Sequence, residues 1–266
     1  MSQLALTFAD AAVVARRNLI KIKRVPELLI WTTMSPIMFV LLFGYVFGSS
    51  IQIPGVPYRE YLIAGVFAQT VIFGATFTGA GLAEDMTKGI IDRFRSLPMA
   101  RSAVLAGRTG SDVLYNSISI LAMSITGLIV GWRIRTGVLA AIGGFLLLLL
   151  FAYAVSWVMA YVGLKVSSVE VFNNASFMVI MPMTFIANTF VRAEALPGPL
   201  QTFAEWNPVS AVAQAVREAF GNIGAGPPPE AWSLRNPLAY TLIWVGIILV
   251  VFVPLSVRQY KKAASR

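Results

Sequence analysis

The chain has 266 residues, of which 57% are hydrophobic and 12% charged, with a mean hydropathy of +0.74; a soluble domain carries about 25% charged residues. Water is therefore not its main solvent, and after several bilayer crossings no length remains for an added soluble enzyme domain. There is no Cys and no His, which removes disulfides, thiol chemistry and the commonest metal ligand, so no metal site is expected. The formal net charge of +9 sits beside apolar runs instead of on a soluble basic face, so it argues for membrane topology and against nucleic acid.

Before the first apolar run, Phe8, Ala11, Ala12, Ala15, Leu19 and Ile22 recur at helical spacing while Asp10, Arg17, Lys21 and Arg24 mark another face. The pattern predicts an amphipathic helix over 8–23 lying on the membrane interface. Arg16-Arg17 resembles a twin-arginine export signal, but the apolar run that follows is long and further runs come after it.

A bilayer core needs roughly 20 apolar residues per helix. Six runs qualify, at 28–47, 61–81, 113–130, 138–161, 171–190 and 238–255. The expected fold is an all-α integral membrane protein, a single domain over 1–266 with six transmembrane helices. None of these spans contains Lys, Arg, Asp or Glu. Glu60, Asp112 and Glu170 fall at predicted helix starts, where a carboxylate complements the helix dipole. A proton-driven carrier needs a titratable group deep in the membrane, and on this reading there is none.

Six spans place both termini on one side. That side holds 15 of the 21 Lys and Arg residues, in the N-terminus, the 84–108 loop, Lys165 and the C-terminus, so it is cytoplasmic. The expected location is a bacterial cytoplasmic membrane, crossed many times. In the cytoplasmic loop after the second span, Met86, Ile90, Ile91, Phe94 and Leu97 form an apolar stripe beside Glu84, Asp85, Lys88, Asp92, Arg93 and Arg95, and Pro98 stops the pattern. Such a helix suits docking into a soluble partner or lying on the lipid surface. The external 191–237 connection is broken by Pro197-Gly198-Pro199 and Asn207-Pro208. It predicts two short helices, the second over 209–220, that dip into the outer leaflet or lie on it, followed by an irregular 221–229 loop.

Inside the spans, Gln69, Thr70, Asn116, Ser117, Ser124, Thr126, Asn173, Asn174 and Asn188 are polar; they either bond neighbouring helices or line a path. Pro36 and Pro182 are expected to kink the first and fifth spans, and Met181 and Met183 either adapt to apolar ligands or fill gaps. No glycine-rich loop ending in Lys-Ser or Lys-Thr is present, so the chain has no nucleotide site of its own. The small residues of 74–81 are expected to permit close helix packing.

The stretch Glu84-Asp85-Met86-Thr87-Lys88-Gly89-Ile90-Ile91-Asp92-Arg93, continuing through Leu97-Pro98 to Arg101, Gly107 and Arg108, resembles the signature loop of ABC-2 type transporter permeases. Leu196-Pro197-Gly198-Pro199-Leu200 with Asn207-Pro208-Val209 and Arg217 is similar to the external segment of the daunorubicin-resistance branch. The resemblance implies a permease paired with a second copy or a similar permease, and with two copies of a separate ATP-binding cassette subunit. ATP and Mg would lie on that partner; this chain would bind no cofactor. It implies coupling roles for Glu84, Asp85, Gly89, Asp92, Arg93, Leu97, Pro98 and Arg101, and export of a small-molecule or lipid cargo. Gln69, Thr70, Asn173, Asn188, Met181 and Met183 are then candidates for the translocation path. The rival readings are a secondary carrier and a non-transporting membrane assembly protein. If the topology is right, single cysteines at Ser96→Cys and Ala225→Cys will be labelled from opposite faces; external labelling of the first by an impermeant reagent would overturn it.

Overall fold

The computed structural model describes residues 26–48, 50–90 and 101–263. The expected interface helix over 8–23 and the end of the 84–98 stripe, from Ile91 onward, lie outside the described residues. Within the described residues every regular element is helical. Helix α1 (Pro26–Leu41) continues into a π-helical turn, Leu42–Phe47. It is followed by α2 (Tyr58–Thr87), α3 (Arg101–Val130), α4 (Val138–Gly163) and α5 (Val169–Phe185). After a short 3-10 turn, Ala193–Ala195, come α6 (Gly198–Trp206), α7 (Pro208–Phe220), α8 (Trp232–Arg235) and α9 (Pro237–Ala263). Among the described residues, four helices are long and apolar enough to cross a membrane: α2, α3 from Val104, α4, and α9 up to Lys262. Helices satisfy the backbone internally, which hydrocarbon requires.

The four differ in position. In its most apolar stretch α2 is 83% buried inside the protein and α9 only 17%, so α2 is the axis and α9 a peripheral strut. Helices α3, α4, α5 and α7 all pack on α2. Close packing is made possible by small residues. A Cβ on Gly163 of α4 would strike the Gly79 carbonyl of α2, and one on Gly79 would strike Phe172 and the Met159 carbonyl. The 74–81 stretch thus does permit close helix approach. At Gly74 and Gly81 the neighbour is polar instead: the space a Cβ would need is filled by the Asn116 amide and the Arg108 guanidinium.

Helix ends follow local chemistry. Asn207 caps α7, its side chain accepting from Val209 N–H at 2.9 Å. At the other end Gly221 takes φ +73, and Asn222 N–H donates to Arg217 O at 2.9 Å, a left-handed stop that glycine adopts without steric cost. Helix α5 starts directly after its N-cap Ser168, whose hydroxyl accepts from Val171 N–H. It buries a single stripe, Phe172, Ser176, Ile180 and Thr184. Pro36 lies inside α1 and Pro182 inside α5.

Three boundaries differ from the sequence reading. Helix α5 stops at Phe185 instead of reaching 190, and beyond it the carbonyls of Asn188 and Thr189 accept from the Arg217 guanidinium. Helix α2 runs on through Glu84 and Asp85, so these residues are not the start of a separate loop helix; Gly89, at φ +62, makes the turn. Helix α3 begins at Arg101, twelve residues before the apolar run, and carries buried polar residues, Arg108 and Asp112, that meet Asp85 and Ser156. The two short helices expected in the 191–237 connection are α6 and α7, and α7 packs among α2, α4 and α9.

Helix α9 is tied at both ends. Ser233 Oγ donates to Glu205 O, and Tyr240 Oη donates to Trp206 O at 2.7 Å, joining α9 and α8 to α6. Near its other end, Ser256 Oγ donates to Trp157 O at 3.0 Å and Gln259 Nε2 to Leu164 O at 3.4 Å.

Replacing Gly163 with Val will force α2 and α4 apart and lower the melting temperature of the purified chain, an overpacking cost of about 1–3 kcal/mol. Gly246→Ala, whose Cβ meets nothing within 4 Å, will leave it unchanged or slightly higher.

Candidate functional site

Charged residues gather at the two ends of α2. At its C-terminal end the adjacent acids Glu84 and Asp85 point to different surroundings, since neighbours on a helix lie about 100° apart. Glu84 faces solvent and ion-pairs with Lys88 at 2.6 Å; the hydrogen bond and the charge push the Lys88 pKa up. Such an exposed pair contributes little, since water screens it. Asp85 faces inward and ion-pairs with Arg108 of α3, both nearly buried. Removing one partner of such a pair strands a buried charge, which is far more costly. This contact locks the last turn of α2 to the second turn of α3, on either side of the connecting segment. Of the expected coupling residues, Glu84, Asp85 and Gly89 sit here. Arg101 opens α3, and Asp92, Arg93, Leu97 and Pro98 lie outside the described residues.

The polar seam continues inward. Asp112 is not a helix cap: it lies within α3, 5% exposed, and accepts a hydrogen bond from Ser156 Oγ of α4 at 3.0 Å. Its placement at a helix start failed because the polar turns before it were read as loop. With Asp112 buried, the absence of intramembrane carboxylates no longer argues against a proton-driven carrier.

The expected path residues are not brought together. Gln69 is buried on α2, with Nε2 lacking a protein partner. Thr70 is buried beside it but spends its hydroxyl on Val66 O at 2.7 Å. Asn173 is exposed on α5, Met181 and Met183 are half-buried, and Asn188 is buried beyond the end of α5. Ser117, Ser124 and Thr126 of α3 likewise bond back to their own helix, Ser117 to Val113 O, Ser124 to Ile120 O and Thr126 to Ala122 O.

At the N-terminal end of α2 two constellations appear that sequence reasoning did not find. Glu60, in the first turn as expected, is also a bidentate partner of Arg135, with Nε–Oε2 and Nη2–Oε1 both at 2.7 Å. The carboxylate pushes the Arg135 pKa up. Asn222 donates to Glu60 at 3.0 Å and accepts from Trp132 Nε1 at 2.8 Å, so the loops after α3 and α7 are pinned to α2. The second is Arg217 of α7, fully buried. Its Nε donates to Tyr61 O at 3.0 Å, and its Nη2 to Asn188 O at 2.7 Å and Thr189 O at 3.0 Å. The guanidinium also stacks 3.6 Å from the Tyr61 ring. The sequence signals were a charge inside an apolar 209–220 helix and the place of Arg217 in the segment similar to the daunorubicin-resistance branch. No group of three or more acidic residues able to hold a metal occurs among the described residues.

Comparison with known proteins converges on one group. The chain is 33% identical over 246 residues to the daunorubicin resistance ABC transporter permease protein DrrB1 of Streptomyces coeruleorubidus, covering 92% of this chain and 83% of that one. It is 25% identical over 232 residues to the probable doxorubicin resistance ABC transporter permease protein DrrC of Mycobacterium tuberculosis, covering 86% and 80%. Residues 10–220 match the ABC-2 type transporter family. With a helical bundle that carries four membrane-length helices and a match running from before α1 to the end of α7, the chain belongs to the ABC-2 type transporter family.

Proposed function

We propose that this chain is the membrane-spanning subunit of an ATP-driven exporter, crossing the membrane six times as a single domain with both termini cytoplasmic. The two crossings beyond the four long helices are α1 with its π-helical turn, and α5. The N-terminal 8–23 segment lies on the inner leaflet. Energy comes from two copies of a separate ATP-binding cassette subunit, which holds ATP and Mg, and a second permease completes the pathway. Similarity to permeases named for daunorubicin and doxorubicin resistance supports an amphipathic or hydrophobic cargo, a drug or a lipid.

The observation that carries the mechanism is the Asp85–Arg108 ion pair. A soluble partner docked on the 84–101 segment pushes on residues just beyond this lock, so displacement enters α2 and α3 together. Because α2 is the buried axis, its motion reaches α4, α5 and α7 at once. Gly89 supplies the turn that separates the docking segment from α2. In this scheme Glu84, Asp92, Arg93, Leu97, Pro98 and Arg101 form the docking surface, and Asp85 transmits. Gln69, Thr70, Asn173, Asn188, Met181 and Met183 are proposed to meet cargo, Asn173 at the exposed face of α5.

Exchanging Asp92 and Arg93, as Asp92→Arg with Arg93→Asp, preserves net charge and therefore membrane insertion. The expected outcome is normal membrane abundance with reduced recovery of the ATP-binding subunit and loss of ATP-dependent transport. Normal recovery with normal transport would show that these two residues only rest on lipid. Gln69→Leu keeps size and removes the amide; a role in the path predicts altered cargo preference with ATPase activity retained, and unchanged transport of every cargo tested would reduce Gln69 to a helix contact.

A further inference from the structure

Asp112 lies in the apolar stretch of α3, Val104–Val130, about 12 Å from its start at about 1.5 Å per residue. It is buried and forms no ion pair among the described residues. An ionised carboxylate in such a place is unfavourable unless a cation answers it. Arg108, one turn earlier on the same helix, is close enough for its charge to be felt, but its Nη2 is committed to Asp85 of α2.

The groups nearest the carboxyl are hydroxyls. Oδ2 lies 3.0 Å from Ser156 Oγ of α4, whose single hydrogen also has Ala152 O within 3.0 Å. Thr78 faces the carboxyl from α2. The packing of α2 on α3 sets that register: Arg108 takes the place of a Cβ on Gly81 and Asn116 the place of one on Gly74. Thr78, between the two glycines on one face of α2, therefore comes opposite Asp112, which lies between Arg108 and Asn116 on α3. Thr78 is buried with no hydrogen bond in place at Oγ1, and Asn116 is buried with none at Oδ1. A neutral carboxyl suits this company. It donates to Thr78 Oγ1, Thr78 is then free to donate towards Asn116 Oδ1 one turn along, and Ser156 still donates to Oδ2.

We infer that Asp112 is a proton-binding site, and that loss of its proton to water moves Arg108 from Asp85 to Asp112 and so opens the α2–α3 lock. Release leaves a carboxylate four residues beyond Arg108 on the same helix, the spacing at which charged side chains meet, and Arg108 Nε is unpartnered. In the low dielectric of the seam the new negative charge competes directly with Asp85 for the guanidinium. The charged groups concerned are Arg108 of α3 and, through it, Asp85 of α2. From α2 and α4 the carboxyl is faced by the neutral Thr78 and Ser156. Helices α1 and α9 also pack on α3 and bring no charged group to it among the described residues. The proton site is read from this chain alone; its part in coupling rests on the exporter reading.

The test uses the full-length chain purified in detergent, with neither partner nor cargo, so it can fail while the exporter reading stands. Infrared spectra from about pH 5 to about pH 9, above the ordinary range of an exposed carboxyl, read the carbonyl stretch of a protonated acid. The wild type will show a band that Asp112→Asn lacks, that Asp112→Glu shifts, and that fades as the pH rises. Because the chain has no Cys, spin labels on Thr87→Cys and Leu114→Cys, both exposed positions, report the separation of α2 and α3 by pulsed electron paramagnetic resonance. The wild type will give one distance at low pH and a second that grows as the band fades. Asp85→Asn will give the second at low pH too, and Asp112→Asn the first throughout. If Asp112→Asn does not fold, the band shift in Asp112→Glu still assigns the proton. No band that depends on residue 112 overturns the proton site. A band that never fades, a band that fades with no change in distance, or a change that survives in Asp112→Asn overturns the transfer of Arg108.

Discussion

The constraint on which this bundle depends is that α2 has protein on nearly every side. A membrane helix exposed to lipid can be clothed in Leu, Ile and Val, but an axial one must let its neighbours in. Gly79 does so by meeting Gly163 backbone to backbone. Gly74 and Gly81 yield their space to Asn116 and Arg108, so that the α2–α3 contact is apolar in bulk but polar along one seam. In hydrocarbon, where apolar surface offers no driving force between helices, close contact and interhelical hydrogen bonds supply the association. The Asp85–Arg108 and Asp112–Ser156 contacts are therefore part of what fixes helix order and register in the bundle as well as being candidates for function.

The same seam explains what could be read from the sequence and what could not. Runs such as 138–161 and 238–255 name themselves, since α4 and α9 are apolar through those stretches, although α9 continues through a basic last turn to Ala263. The beginning of α3 does not, because Arg101 to Asp112 looks like loop to any scale that averages hydrophobicity. Only the structure shows that Arg108 and Asp112 are answered by Asp85 and Ser156 on other helices. Pairings at a sequence distance of 23 or 44 residues leave no local trace. The end of α5 shows the complementary case: 186–190 is apolar enough to continue a helix, yet it leaves the helix, and the carbonyls of Asn188 and Thr189 meet Arg217 of another element.

Function was legible differently. The motif from Glu84 to Arg108 carried the family because it is a local string, and the family match over 10–220 agrees with it. The interior was not legible in this way. Gln69, Asn173 and Asn188 were grouped by polarity within predicted spans, yet one is axial, one outward-facing and one beyond its helix. Polarity in a membrane helix says that a residue needs a partner; whether the partner is another helix, water or cargo depends on azimuth, and azimuth is set by packing.

The tethering of α9 has a mechanical consequence. At about 1.5 Å per residue its 27 residues make a rod some 40 Å long, clipped to the α6–α8 cap through Tyr240 and to the far end of α4 through Ser256 and Gln259. A rod fixed at both ends and loosely packed between them carries displacement without storing it. Tilting of α4 at one membrane face would then be felt by the cap at the opposite face through α9, along a route that bypasses the crowded centre, so that the two faces need not open by the same path.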